Sequence, residues 1–261
     1  MEKKLDRKDE EARSQVLIPR ILGPFNQQWT ISQIAEEAPP LGYEALFKSA
    51  KSQLEYVDKF LSRPEMGGKI VHPQNKEDIF RAFHVCRRPR CVLLGQDVYY
   101  TKTFSGSAAT GLCFDIRPGE KTNPSMVNIM KEVENCYPYQ RARGNGSLIR
   151  WSDQGMLLLN AALTVTDGDP GSHIIAWSGF LIKCLAFLAE NFPGIIYILF
   201  GGWNGKAEDI KKKIDPRGII IHVGHPSPQN RNGTFLGSKV FLQINDALKA
   251  KKEKEIDFTI Y

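Results

Sequence analysis

Cysteine is scarce and poorly placed for cross-linking. Cys86, Cys91, Cys113, Cys136 and Cys184 are odd in number, scattered and never spaced C-x-x-C, which argues against a disulfide framework and against a zinc site. Such usage fits a reducing, intracellular compartment, nuclear or cytoplasmic. No apolar run approaches the length of a membrane span, and the opening MEKKLDRKDEEAR is too charged to hold the apolar core of a signal peptide. Internal repeats, low-complexity linkers, a serine nucleophile elbow and a metal motif are missing as well. What remains is a chain of 261 residues, 42% hydrophobic and 25% charged, enough for one large domain. Its net charge of +6 suits a polyanionic partner but does not by itself identify one.

The first 20 residues mix both signs of charge with little apolar periodicity, so residues 1–20 read as a solvated leader and 21–261 as the folded domain. From residue 41, YEALFKSAKSQLEYVDKFLSR sets Leu46, Leu54, Val57 and Leu61 on one helical stripe. Four continuous aliphatic runs follow: CVLLG (91–95), GMLLLN (155–160), IIYILF (195–200) and GIIIHV (218–223). Continuous rather than alternating hydrophobicity predicts parallel strands covered on both faces. Helices are expected between and after them, over 125–135, 176–192 and 237–251, the last with Ser238 as its N-cap. The fold class is therefore α/β: a single domain with a central four-stranded parallel sheet flanked by helices.

Each run ends in polar or glycine-rich sequence: Gln96-Asp97, Asn160, Gly201-Gly202 and Gly224-His225. In open parallel sheets, ligands bind beyond the carboxyl ends of the strands. Asp97, Asn160 and His225 are thus expected in one pocket, although each alone has an ordinary reading as a turn, cap or satisfied polar residue.

Four stretches carry a family resemblance: GQDVYY (95–100), GLCFDIRPG (111–119), WSDQGMLLLNAALTV (151–165) and HPSP (225–228). In this order and at roughly these separations, the chain resembles family 1 uracil-DNA glycosylase over residues 45–258. The resemblance implies hydrolysis of the bond between uracil and deoxyribose in DNA, with no cofactor and no metal. It implies Asp97 as the carboxylate that positions water and stabilises a cationic sugar, and His225 as a donor to uracil O2. It further implies that Asn160 matches the N3–H and O4 edge of uracil, that Phe114 stacks on the flipped base, that Tyr99 excludes the thymine methyl, and that the Gln96 backbone N–H is a further uracil contact. Ser125, Gly201, Gly202 and Ser227 fall in the family's phosphate-contacting loops. The implied partners are single- and double-stranded DNA containing uracil, together with replication or repair proteins.

The chain also departs from the family. Val98 and Tyr100 stand where proline and histidine are usual, about four extra residues lie between Asp97 and Phe114, and Gly202 replaces a common serine. Gln229 stands where a leucine usually wedges into the vacated base stack. Two other classes compete: a DNA-binding accessory protein on a glycosylase scaffold, and a different hydrolase using Asp97 and His225 as a base and its orienter. The basic runs RRPR, KKK and KAKKEK read as solvated faces and receive no contacts.

Overall fold

Strands form where aliphatic residues run uninterrupted, because only a sheet covered on both sides buries every side chain of such a run. A computed structural model describes residues 26–103, 106–117, 120–139, 146–202, 209–230 and 233–260; the expected leader lies outside them. The described strands are β1 (Val71–His72), β2 (Cys91–Asp97), β3 (Lys102–Thr103), β4 (Gly106–Ser107), β5 (Met156–Ala162), β6 (Val165–Thr166), β7 (Ile196–Phe200) and β8 (Ile219–Val223). Four of them form one parallel sheet in the order β5-β2-β7-β8, in register at Leu93↔Leu158, Leu93↔Ile198 and Ile198↔Ile221. Every residue of β5 and β7 is buried. Truncating a leucine such as Leu93 or Leu158 to alanine would cost about 2–5 kcal/mol.

β8 departs from the expectation of full cover: Ile219 and Ile220 are half-buried and His222 is exposed. It is an edge strand, with only β7 beside it. The chain leaves β2 toward β5 on one side, and leaves β7 toward β8 on the other. That reversal places a crevice beyond the ends of β2 and β7.

The helical stripe from residue 41 is divided at Ala50 into Glu44–Ser49 and Lys51–Leu61, with Leu46, Leu54 and Val57 still buried. The next expected helix is Pro124–Cys136, started by Pro124 and by the Asn123 side chain, which accepts from the Met126 N–H at 2.9 Å. The helix Ile174–Asn191 contradicts the expectation that no apolar run nears the length of a membrane span, since its mean hydropathy is 1.4 over 18 residues. It is apolar because one face packs into the core through Ala176, Trp177, Phe180, Cys184, Leu185 and Leu188.

The last helix, Val240–Ala250, corrects the assignment of Ser238 as N-cap. Lys239 occupies the cap with a left-handed φ of 57°, and the Ser238 hydroxyl is 3.4 Å from the Val240 nitrogen. The Gly237 and Lys239 N–H groups instead donate to the buried Glu132 carboxylate at 2.6 and 2.7 Å. The Ser238 hydroxyl still accepts the Val240 N–H, from one position before the cap, while Glu132 holds the turn that precedes the helix.

Two short antiparallel ribbons complete the frame. β1 pairs with β6 (His72↔Val165), and β3 pairs with β4 (Lys102↔Ser107). The second ribbon lies within the extra residues between Asp97 and Phe114.

Candidate active site

Asp97 ends β2 at the crevice and is half-buried. Its carboxylate accepts the backbone N–H of Gly171, which has φ 83° in the turn before the long helix. Burial raises the Asp97 pKa, while this hydrogen bond and one from its own backbone pull the other way.

Asn160 lies on β5 directly across from Gly95 of β2. A Cβ at position 95 would sit 2.5 Å from Asn160 Oδ1 and 2.3 Å from Cys113 Sγ, so glycine is required for the amide to lie there. The residue is largely buried but lines the cleft, and no hydrogen bond to its amide is found among the described residues. Buried amides are ordinarily satisfied, and one left open at a crevice is shaped for a ligand edge.

Phe114 adopts a left-handed φ of 62°, which a phenylalanine holds only when its surroundings dictate it. Its neighbours are tied down on both sides. The Cys113 N–H donates to Leu158 O at 3.0 Å, and the buried Asp115 carboxylate accepts from Leu148 N–H at 2.6 Å. Arg117 donates to Asp78 and, at 3.1 Å, to Ala109 O. Burial raises the pKa of Asp78 and Asp115, opposed by Arg117 beside the first and Arg81 beside the second. The half-buried Tyr99 hydroxyl donates to Phe114 O at 3.3 Å and also meets Asn123. The Phe114 ring lies 5.6 Å from the rings of both Phe200 and His225.

His225 follows β8 and stands over Gly201, where a Cβ would meet its side chain at 2.9 Å. The Ser227 backbone N–H donates to His225 Nδ1 at 3.0 Å, so Nε2 carries the ring proton. Burial lowers the pKa of the imidazole and keeps it neutral further into the acid range than a free histidine. The segment is held by Asn230 Nδ2 donating to His225 O at 3.1 Å and Asn128 Nδ2 donating to Pro226 O at 2.7 Å.

Gln96, Asp97, Tyr99, Phe114, Asn160 and His225 line one cleft of about 1240 Å³. Ser125, Gly201, Gly202, Ser227 and Gln229 line the same cleft, the last exposed at its rim. No hydrogen bond joins Asp97 to His225, since the first engages Gly171 and the second Ser227. This does not favour a hydrolase in which one serves as orienter of the other. Arg87 and Arg88 do not line the cleft, whereas exposed Lys121 does. Sequence reasoning passed over Lys121, over Gly171 as the partner of Asp97, and over the backbone donor of Ser227. Gly171, ahead of Ser172-His173 and the long helix, is the one signal in the sequence for any of them.

A carboxylate, an amide with no partner among the described residues and an imidazole whose pKa is lowered by burial thus line one cleft at the switch point of a parallel α/β sheet, beside an aromatic ring. This is an enzyme-type pocket for a planar polar ligand. The model of the uracil DNA glycosylase superfamily matches residues 83–249. A uracil-DNA glycosylase of Bacillus cereus (strain B4264) is 38% identical over 208 residues, covering 78% of this chain and 88% of the relative. One of Bacillus anthracis (strain CDC 684 / NRRL 3495) is 37% identical, covering 80% and 91%. The crystal structure of mimivirus uracil-DNA glycosylase superposes with a TM-score of 0.76 at 24% identity, covering 84% of this chain and 86% of that one, which bears on the fold. The chain belongs to the uracil-DNA glycosylase superfamily.

Proposed function

We propose that this protein excises uracil from DNA by hydrolysing the C1′–N1 bond, leaving an abasic site for base excision repair. The observation that supports the chemical reading is the Asn160 amide, facing the cleft with no partner among the described residues, in the same cleft as the Phe114 ring and His225. A planar base stacked on Phe114 offers its N3–H and O4 to that amide. Cytosine presents an acceptor at N3 and a donor at the exocyclic amine, the reverse pattern. Tyr99 stands against C5, and the Gln96 N–H is a further contact to the base.

Asp97 holds the attacking water and faces the positive charge that builds on the sugar. The water oxygen becomes the C1′ hydroxyl, its released proton passes through Asp97 to solvent, and the C1′–N1 electron pair leaves with uracil. His225, neutral and donating from Nε2, hydrogen-bonds uracil O2 as negative charge accumulates there. Ser125, Gly201, Gly202 and Ser227 hold the backbone around the extruded nucleotide, in single or double strands. The unpaired, buried state of all five cysteines supports a reducing, intracellular site of action. An oligonucleotide with one deoxyuridine, treated with the protein and then with alkali, tests the reading through strand scission at that position and release of free uracil.

A further inference from the structure

His72 lies on β1, outside the cleft, and is fully buried. Both ring nitrogens are engaged, with Nδ1 2.8 Å from Ser107 Oγ and Nε2 2.8 Å from Asp167 Oδ1. The carboxylate only accepts, so Nε2 donates to it, and Nδ1 shares a hydrogen bond with the Ser107 hydroxyl. Ser107 Oγ in turn accepts the Ala109 N–H at 3.3 Å. Every donor and acceptor in this relay is matched.

The relay joins segments 35 and 95 residues away in the chain. Ser107 belongs to the extra ribbon that follows the Asp97 segment, closed by Ala108 N–H to Thr101 O at 3.0 Å. Asp167 begins the turn that grips that segment. Its N–H donates to Ile70 O at 2.8 Å, the Gly168 N–H donates to Tyr100 O at 3.0 Å, and the Gly171 N–H donates to the Asp97 carboxylate. Between those two grips sits Val98, packed with Ala109 and Val165 in a small cluster of its own. Where the family usually has a proline ring, this chain has a free φ and an apolar side chain, so the segment's geometry must be imposed from outside.

We infer that His72 is a positioning residue for excision: by tying the extra ribbon to the Asp167 turn, it fixes the segment that carries Asp97. The inference rests on the reading of Asp97 as the water-positioning carboxylate. Because the relay touches neither base nor phosphate sites, its loss should lower the chemical rate and spare binding.

The test is single-turnover excision, with affinity measured on a duplex bearing a non-hydrolysable deoxyuridine analogue. Misplacing the water should make His72→Phe and Asp167→Ala each slower by roughly tenfold, with affinity changed by less than about twofold. Asp167→Asn keeps the acceptor and should recover most of the rate, which a merely structural role for the charge would not give. Asp167→Ala should add nothing in the His72→Phe background. Should His72→Phe fold poorly, the Asp167→Ala and Asp167→Asn pair decides the matter alone, because the Asp167 side chain is 38% exposed. Wild-type rates in folded His72→Phe and Asp167→Ala, or a loss confined to affinity, would overturn the inference. Asp97→Asn, assayed alongside, separates the two readings. If it is slow while His72→Phe is normal, the anchor alone fails. If Asp97→Asn is itself normal, the reading of the site fails, and the anchor with it.

Discussion

The backbone N–H of Ser227 donates to Nδ1 of His225 at 3.0 Å, leaving the ring proton on Nε2. Burial holds the imidazole neutral, so this proton is available to hydrogen-bond an anion without the imidazole having to be charged. His225→Leu should slow excision by about 10²–10³-fold, the usual loss on removing one donor to developing charge, with little change in affinity for uracil-containing DNA. Single-turnover kinetics beside equilibrium binding measure the two separately.

Asp97 carries a pH signature. On the proposed role of Asp97 as an ionised carboxylate, the rate should fall as pH drops through its raised pKa, at less acidic pH than for an exposed aspartate. The stability contribution has the opposite sign. An acid whose pKa is raised by burial contributes stability below its unfolded pKa, and that contribution is lost as pH rises through the folded pKa. Asp97→Asn should therefore be two or more orders of magnitude slower yet melt higher at neutral pH, with the gain vanishing in acid. Melting temperatures equal at neutral pH would contradict the assignment of a strained, functional carboxylate.

Specificity should break at two side chains. Asn160→Asp places an acceptor opposite the exocyclic amine of cytosine and should admit some cytosine excision. It should also lower uracil excision by about 1–3 kcal/mol in the transition state. Tyr99→Ala should admit thymine. Release of free base from oligonucleotides carrying each base reads both, and strict uracil specificity in both variants would remove the pocket assignment.

The strand ends also mark what could be read in advance. Asp97, Asn160 and His225 were legible because an aliphatic run that stops at a polar residue marks a strand end, and parallel strand ends share a crevice. The half-exposed β8 was not, since being an edge depends on strand order and not on the run itself. The hold of Glu132 on the turn before the last helix and the partners of His72 were hidden for a related reason. The partners lie 105 and 107 residues away in the first case, and 35 and 95 in the second. No local pattern records a hydrogen bond of that span.

Gln229 lies exposed at the rim of the cleft, where an apolar side chain would fill the space left by an extruded base. A glutamine amide placed there would need partners among neighbouring bases, so as a plug it should be weak. Gln229→Leu should raise single-turnover excision from duplex more than from single strands, and Gln229→Ala should lower the duplex rate. Equal effects on both substrates would show that this residue does not enter the stack.

Phosphate contacts predict a salt dependence. Affinity for duplex DNA should fall with a log–log slope of about −0.9 for each phosphate neutralised, and Lys121→Ala should make the slope shallower by roughly one such step. A slope unchanged in that variant would place Lys121 outside the contact surface.

Excision from a single-deoxyuridine oligonucleotide tests the central claim most directly, with base release and strand chemistry followed together. The expected result is free uracil and an alkali-labile abasic site in equal amounts, without added metal or cofactor, from both single and double strands and not from the matched cytosine or thymine oligonucleotides. An intact deoxyuridine strand, or strand cleavage without free uracil, would contradict it.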